Sequence, residues 1–219
     1  MTRFAPRLDI LPPAQRRLWD ALSAVPPEFV LYGGTAIALH LGHRRSVDFD
    51  FFGEEGFDRA VLQARVHFLA DATVVRAERN TLVVTIGRDE PINVSFFGVP
   101  RLPRLAPCHV APDNGLRVAS LLDLAGTKAS VVQLRAEAKD YLDLDALVLA
   151  GVDLSAALAA GRAIYGNAFN PEVTLKALAY FEDGNLASVP DEVKRRLADA
   201  VLAVDIDKLP SFEPIRWAP

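Results

Sequence analysis

The feature that most constrains this chain is a run of alternating apolar and acidic residues that follows a glycine pair. Residues 29–52 read FVLYGGTAIALHLGHRRSVDFDFF. We therefore expect a strand–helix–strand unit. In chain order its parts are a short apolar strand over 29–32, a turn at Gly33 and Gly34, a helix of one to two turns starting near Thr35, a polar loop over 42–46 and a second strand over 47–52.

Two acidic residues lie on the second strand of this unit. Side chains alternate between the two faces of a strand, so Asp48 and Asp50 would point one way while Val47, Phe49 and Phe51 point the other. The two carboxylates would then lie roughly 6.5–7 Å apart along the strand. Like charges beside buried apolar residues are costly, and without a cation one of the pair should resist ionisation. The pair therefore predicts a cation site.

The glycine pair predicts a site for an anion. Glycines let the backbone approach a ligand closely, and a helix behind them presents unpaired N–H groups and a positive dipole end. Thr35 could cap that helix or donate its hydroxyl to a phosphate. Phosphates at one element and an acidic pair on the next suit phosphoryl-type transfer, in which Mg²⁺ takes oxygen ligands from both.

The spacing of these residues resembles the signature of the DNA polymerase β-like nucleotidyltransferase superfamily. Within it, GGTAIALHLGHRRSVDFDFF is similar to the AbiEii/AbiGii-type toxin nucleotidyltransferases, which share Gly-Gly-Thr, Arg-x-Ser and Asp-x-Asp. A later block, TKASVVQLRAEAKDYLDLDAL, is similar to their second marker, a Lys followed by Arg and then Lys-Asp-x-x-Asp. The resemblance covers roughly residues 29–149.

The resemblance implies an enzyme that moves a nucleoside monophosphate from an NTP to a hydroxyl acceptor, with Mg²⁺ or Mn²⁺ as cofactor. It further implies a toxin with a cognate antitoxin, for which tRNA is a candidate acceptor. On this interpretation Asp48 and Asp50 hold the metal. The nucleotide-binding residues would be Gly33, Gly34, Thr35, Arg45, Ser46, Lys128, Arg135 and Lys139, with Arg45 near the triphosphate or orienting the carboxylates and Ser46 on a phosphate oxygen.

The second block supplies the other candidate catalytic residues, Lys128 and Asp140. Lys128 and Arg135 are two helical turns apart, so one continuous helix would present both on one face. Lys128 lies among apolar neighbours and needs an anion, for which the nucleotide is a natural candidate. Asp140 could accept from Lys128 or Arg45, or act as a base on the attacking hydroxyl.

The chain departs from the superfamily pattern at its expected third carboxylate. The matching stretch is INVSFF over 92–97, in which Ser95 stands in place of the acid and Asn93 shares its face. Ser and Asn are weak Mg²⁺ ligands and poor proton acceptors. Three explanations stay open: two carboxylates suffice, Asp140 or Asp143 substitutes, or the chain binds nucleotide without efficient transfer. A non-enzymatic interaction module is a further alternative.

The remaining sequence predicts an α+β fold: a polymerase β-like nucleotidyltransferase domain with a mixed sheet over 1–115, then a helical domain over 116–219. Further elements of the first domain are helices over 11–24 and 57–70, a hairpin with strands over 81–86 and 92–97, and an extended connector over 99–115. Ser120 and Asn170–Pro171 are helix-start signals of the second domain, and another start is expected near Ser188–Pro190.

The composition indicates in which cellular compartment the protein works and which partners it can bind. The chain has 219 residues, one cysteine (Cys108) and no apolar run long enough to span a bilayer, so we expect a cytoplasmic protein without membrane contact. Its net charge of −4 argues against indiscriminate nucleic-acid binding. A local patch could still hold a structured RNA, and the candidate residues are His43, Arg44, Arg45 and the arginines at 76, 79, 88, 101 and 104.

Overall fold

A computed structural model describes residues 2–100 and 102–215. They fall into two compact units, the first made of the described residues of 1–102 and 107–119 and the second of 103–106 and 120–217. The first unit holds a mixed sheet with helices, and the second is helical, so the predicted α+β fold is confirmed. The chain passes from the first unit to the second at Ala119–Ser120. The Ser120 side chain caps the first helix of the second unit.

Eight strands in the described residues form one sheet, in the order β1-β7-β8-β2-β3-β6-β5-β4. The inner pairs that matter here are β2 with β3, which is antiparallel, and β3 with β6, which is parallel. The strands are β1 (Thr2–Arg3), β2 (Phe29–Tyr32), β3 (Phe49–Gly53), β4 (Thr73–Glu78), β5 (Thr81–Ile86), β6 (Ile92–Gly98), β7 (His109–Val110) and β8 (Arg117–Val118).

The described α-helices divide between the units. The first unit has α1 (Pro13–Leu18), α2 (Gly33–Leu41) and α3 (Arg59–Arg65). The second has α4 (Leu121–Val131), α5 (Ala138–Leu149), α6 (Leu154–Tyr165), α7 (Pro171–Leu178) and α8 (Asp191–Leu202). The Ser120 and Asn170 side chains cap α4 and α7, as their sequence signals predicted.

The core of the first unit lies on one face of β3 and β6. Phe49, Phe51 and Phe96 are fully buried there, and the rings of Phe51 and Phe96 stack with centroids 5.1 Å apart. Burying aromatic rings of this size is strongly favourable, so the strands cannot turn over without exposing them. The opposite face of the same strands carries Asp50 and Ser95 next to the half-buried rings of Phe52 and Phe97.

Several boundaries differ from the prediction. The segments 11–24 and 57–70 each break into an α-helix followed by a 3-10 helix, and the connector over 99–115 contains β7. In the second of these segments Leu62, Val66 and Leu69 are buried, whereas Val61 is 57% exposed. The apolar residues at helical spacing in this segment (Phe57, Val61, Ala64 and Phe68) predict one stripe that faces the core. That prediction was wrong at Val61 and Ala64, which are exposed, since α3 ends at Arg65 and the chain continues in a 3-10 helix.

Two differences affect the central stretch. Helix α2 begins at Gly33 itself, so the glycine pair forms its first turn rather than a separate one. Strand β3 begins at Phe49, and Val47 is 48% exposed, so the expectation of buried apolar residues on both sides of Asp48 was wrong. The side chains of Gln15 and Thr35 donate hydrogen bonds to the backbone carbonyls of Val47 and Asp48, and the segment stays outside the sheet.

His40 anchors the far end of α2 in a cluster of aromatic rings. Its Nε2 atom lies 2.9 Å from the carbonyl oxygen of Ala119, and its ring stacks on Phe4 and meets His109 edge-on. A carbonyl only accepts, so Nε2 carries the proton of the neutral ring. Burial is the main cause that lowers the pKa of His40 to about 4, with the charge of His109 adding to it.

This shift predicts an acid-sensitive stability. An unfolded His takes up a proton near pH 6.5 while the folded His40 does not until about pH 4, so the free energy of unfolding should fall as pH drops through that window. His40→Gln keeps a donor for Ala119 but cannot titrate, and should flatten the fall. Urea titrations at several pH values measure this. The exposed His67→Gln is the control, and coincident pH profiles of wild type and His40→Gln would contradict the assignment.

Candidate functional site

Asp50 lies on the second strand of the predicted unit, whereas Asp48 lies just outside it. Asp50 is opposite Ser95 in the parallel β3–β6 pair, and Phe49, its neighbour, points into the core opposite Val94. Asp48 immediately precedes β3, and Asn93 of β6 contacts its side chain. Both carboxylates are only partly buried, so they can reach a ligand on this face.

Asp50 faces the start of α2. A Cβ atom built on Gly33 would lie 3.0 Å from Asp50 Oδ2, and the Gly33 backbone has φ +74°. A side chain at position 33 would therefore be strained and would press on the carboxylate. The first turn of the helix therefore lies directly beside an acid. The Tyr32 side chain makes no capping hydrogen bond to the backbone N–H groups of this turn.

The hydroxyls of Thr35 and Ser46 have a different task from the one predicted. Both residues are buried, and Thr35 Oγ1 lies 2.8 Å from Ser46 Oγ and donates to the backbone carbonyl of Asp48. Thr35 makes no helix cap, since the capping position belongs to Tyr32. The two side chains therefore hold the loop against α2, and at Thr35 only the backbone N–H is left to reach a phosphate.

Three residues near the acids were missing from the predicted site. Gln15 of α1 is 5% exposed and donates from Nε2 to the carbonyl of Val47 at 3.0 Å. Asn93 Nδ2 donates to Asp48 Oδ1 at 3.1 Å, and Thr85 Oγ1 donates to Asn93 Oδ1 at 3.1 Å. A polar Gln among the apolar positions of the first helix was the one signal that could have indicated such a role.

The carboxylates described on this face of β3 are those of Asp48 and Asp50. Ser95 lies opposite Asp50, which confirms that a hydroxyl stands at that register position on β6. Within the described residues no group of three or more His, Cys, Asp or Glu side chains is arranged to hold a metal. A metal bound here would therefore take its remaining ligands from water or from a phosphate-bearing substrate.

The basic residues around this face are only partly those predicted. Arg45 is exposed, but Arg76 pairs with Glu78 at 2.8 Å and Arg104 is buried in the second unit. Arg101 lies outside the described residues. Helix α1 adds Arg16 and Arg17, both exposed, and Arg17 pairs with Glu90 of the β5–β6 loop.

The second unit contains a buried cluster of charges. Lys128 Nζ lies 2.8 Å from Asp140 Oδ1 and 2.9 Å from Asp143 Oδ2, and both aspartates are fully buried. Arg135 Nε lies 2.7 Å from Asp140 Oδ2. The anions beside Lys128 are therefore these carboxylates, which confirms the predicted contact with Asp140, and no nucleotide is needed to supply the charge.

Lys128 and Arg135 do not share a helix face. Helix α4 ends at Val131, and Arg135 lies in the loop before α5. Both cations nevertheless reach Asp140, because the loop folds back over the start of α5. Lys139 pairs with Glu137 at 2.9 Å, and this pair is about half exposed.

Asp140 is held in its ionised form. Burial acts to raise its pKa, but the hydrogen bond from Arg135 and the charge of Lys128 outweigh burial, and the pKa of Asp140 lies below its ordinary value. Both carboxylate oxygens are engaged by cations. A carboxylate in this state is a weak proton acceptor, so the geometry favours a charge-positioning role over that of a base.

The α-helices of the described residues are short compared with the thickness of a bilayer. None is long and apolar enough by itself to cross one, and only α5 joined to residues 154–168 across a 115° bend meets the length and composition criteria together.

Comparison with known proteins identifies the family. The profile of the nucleotidyl transferase AbiEii toxin family, a type IV toxin–antitoxin system, matches residues 16–216. The chain belongs to this family. An uncharacterised protein of Aquifex aeolicus (strain VF5) is 33% identical over 159 residues, which are 71% of this chain and 75% of that protein. The resemblance drawn from the two sequence blocks is thereby confirmed.

Solved structures support the fold of this AbiEii-family chain. MenT4, a nucleotidyltransferase toxin from Mycobacterium tuberculosis H37Rv, superposes with a TM-score of 0.61 at 17% identity, covering 91% of this chain and 84% of that one. JHP933 from Helicobacter pylori superposes with a TM-score of 0.56 at 18% identity, covering 86% and 88%. At such identities the likeness shows the fold alone.

The contact at Gly33 can be separated from its backbone strain. Gly33→Ala and Gly115→Ala both place a methyl group at positive φ, at a cost of about 1–2 kcal/mol each. Only the methyl at position 33 meets a neighbour, the Asp50 carboxylate. Urea titrations should therefore show a larger loss of unfolding free energy for Gly33→Ala, and equal losses would contradict the close approach.

The buried cluster of this AbiEii-family chain makes a second prediction. Lys128→Met leaves Asp140 and Asp143 with an uncompensated buried charge, so the free energy of unfolding should fall by about 3–5 kcal/mol. Lys139→Met removes an exposed pair and should cost about 1 kcal/mol or less. Denaturant titrations of the two variants measure the difference, and a similar small loss in both would show that the cluster does not stabilise the unit.

Proposed function

We propose that the protein is a metal-dependent nucleotidyltransferase that moves a nucleoside monophosphate from an NTP to a hydroxyl acceptor. The observation that carries the proposal is the approach of Asp50 Oδ2 to Gly33 at the start of α2, with Asp48 on the same face. An acid and a helix N-terminus side by side suit a ligand that carries both a cation and phosphates. Membership of the AbiEii family supports the same reaction class.

In this proposal the triphosphate binds at the first turn of α2. The backbone N–H groups of Gly33, Gly34 and Thr35 are the donors, and the absence of a side chain at position 33 lets the Asp50 carboxylate lie beside them. Thr35 and Ser46 support the site from behind through their buried hydroxyls. Arg45, exposed on the same loop, is assigned to the charge of the triphosphate.

Asp48 and Asp50 are the residues that would hold Mg²⁺ or Mn²⁺. Their fit is supported by two partly exposed carboxylates on one face and by the space that a Cβ at Gly33 would fill. A divalent cation bound there would neutralise charge between the carboxylates and the phosphates. The protein's own part is to hold both carboxylates on the face beside the start of α2.

The cationic side chains of the second unit differ in how far they are exposed. Arg135 and Lys139 keep 45% and 49% of their side chains exposed, whereas Lys128 keeps 7%. We therefore propose Arg135 and Lys139 as the nucleotide-binding residues of the second unit, with Arg135 held in place by Asp140. Lys128 acts as the buried countercharge that allows Asp140 and Asp143 to stay ionised together.

An RNA, such as a tRNA, is the proposed acceptor. Arg16 is exposed next to Gln15, which donates to the carbonyl of Val47, and Arg45 is exposed two residues before Val47. Arginine side chains suit phosphodiester groups. The family's description as a toxin–antitoxin system supports a cognate antitoxin as partner.

A nucleotide-binding pseudoenzyme is the alternative, and Ser95 favours it. A hydroxyl opposite Asp50 leaves β6 without the acid that the superfamily pattern expects there. Such a chain would bind NTP and metal at the same residues but would not transfer the nucleotide.

The deciding experiment incubates the protein with each α-labelled NTP, Mg²⁺ or Mn²⁺ and total RNA. We expect label in RNA, reduced at least about 100-fold by Asp48→Asn or Asp50→Asn because each removes a charged ligand worth several kcal/mol. The exposed Asp71→Asn is the matched control and should retain activity. Arg45→Glu should raise the KM for NTP.

The other outcomes separate the alternatives. Metal-dependent NTP binding without any labelled product would support the pseudoenzyme. Absence of both binding and product would contradict the proposal and favour an interaction module.

A further inference from the structure

We propose that Asn93 and Thr85 form a hydrogen-bonded relay that positions Asp48, so that the side chain directing this carboxylate is an amide and not a further acid. The inference rests on the proposed function, because its purpose is to prepare Asp48 for a divalent cation. It adds two positioning residues that the predicted site did not include.

The direction of the relay follows from the chemistry of its members. An ionised carboxylate only accepts hydrogen bonds, so the group of Asn93 that lies 3.1 Å from Asp48 Oδ1 must be the NH₂. The carbonyl oxygen of Asn93 then faces Thr85 Oγ1 at 3.1 Å, and the hydroxyl must donate. Each donor in the chain thus points toward Asp48.

The sheet places the relay where it is needed. Thr85 and Asn93 are register partners in the antiparallel β5–β6 pair, two positions from the pair of Val83 and Ser95. Asp48 itself precedes β3 and has no ladder partner of its own. Its carboxylate therefore depends on side chains for its direction, whereas Asp50 is directed by the strand.

An amide at position 93 has a different electrostatic effect from a carboxylate. It donates a hydrogen bond to Asp48 without adding a negative charge, so it adds no repulsion to the acidic pair while no cation is bound. A third acid at this position would repel Asp48 whenever the cation is absent. The relay also occupies one oxygen of Asp48 and leaves the other free for a ligand.

The test measures Mn²⁺ binding to the protein without nucleotide, by calorimetry. Asn93→Leu should weaken Mn²⁺ binding about tenfold, since a hydrogen bond to a charged group is lost. Thr85→Val should weaken it by a smaller factor, about threefold. The matched control is Thr81→Val, the same change at the other end of β5, which should leave binding within a factor of two.

Asn93→Asp gives a second readout, the melting temperature. It should lower the melting temperature in EDTA, because two carboxylates then repel, and Mn²⁺ should raise it by more than in wild type. A merely structural role for Asn93 would lower stability in both conditions alike. Asn93 is exposed, so these variants should fold.

The outcomes also separate this inference from the proposed function. If Asp48→Asn and Asp50→Asn weaken Mn²⁺ binding while Asn93→Leu does not, the relay is refuted and the cation site stands. If neither Asp variant weakens Mn²⁺ binding, the cation site is refuted and the relay with it. Equal effects of Thr85→Val and Thr81→Val would likewise overturn the role of Thr85.

Discussion

The approach of the Asp50 carboxylate to the start of α2 is the contact on which the site depends. It is possible because position 33 has no side chain and adopts φ +74°, a backbone conformation that a glycine reaches without strain. The direction of Asp50 is set from behind, since Phe49 and Phe51 are fully buried on the other face of β3. Core packing and one missing Cβ together bring a charge to a helix N-terminus.

Asp48 is held by a different mechanism from Asp50. It lies outside the strand ladder, and its segment is tied down by side chains from three separate elements: Gln15 of α1, Thr35 of α2 and Asn93 of β6. Hydrogen bonds of this kind are individually modest, but each removes a polar group that would otherwise need water. The loop is therefore ordered by the same elements that form the core.

The second unit shows how a cluster of buried charges can be tolerated. Two carboxylates and two cations meet at Asp140 and Asp143, so the formal charges balance. Asp140 and Asp143 are one helical turn apart on α5, and Lys128 reaches both from α4. Such a cluster stabilises little relative to apolar packing, yet it fixes Arg135 against Asp140 while nearly half of the Arg135 side chain stays exposed.

Much of the local structure could be predicted from sequence because it follows from periodicity and from capping residues. The strands at 29–32, 81–86 and 92–97, the shared face of Asp48 and Asp50 and the caps at Ser120 and Asn170 depend on neighbours within a few residues. The two sequence blocks were also enough to indicate the family. What sequence alone determined was thus the order of the elements and the chemical types that each presents.

Only the tertiary structure decided the partners of those side chains. The hydroxyls of Thr35 and Ser46 turn inward, Lys128 finds Asp140 and Asp143, and α4 ends before Arg135. Gln15 joins the site through a partner that is 32 positions away in the chain, and Thr85 joins it through a partner that is 8 positions away. Such pairings depend on which elements the core brings together, and no local pattern carries that information.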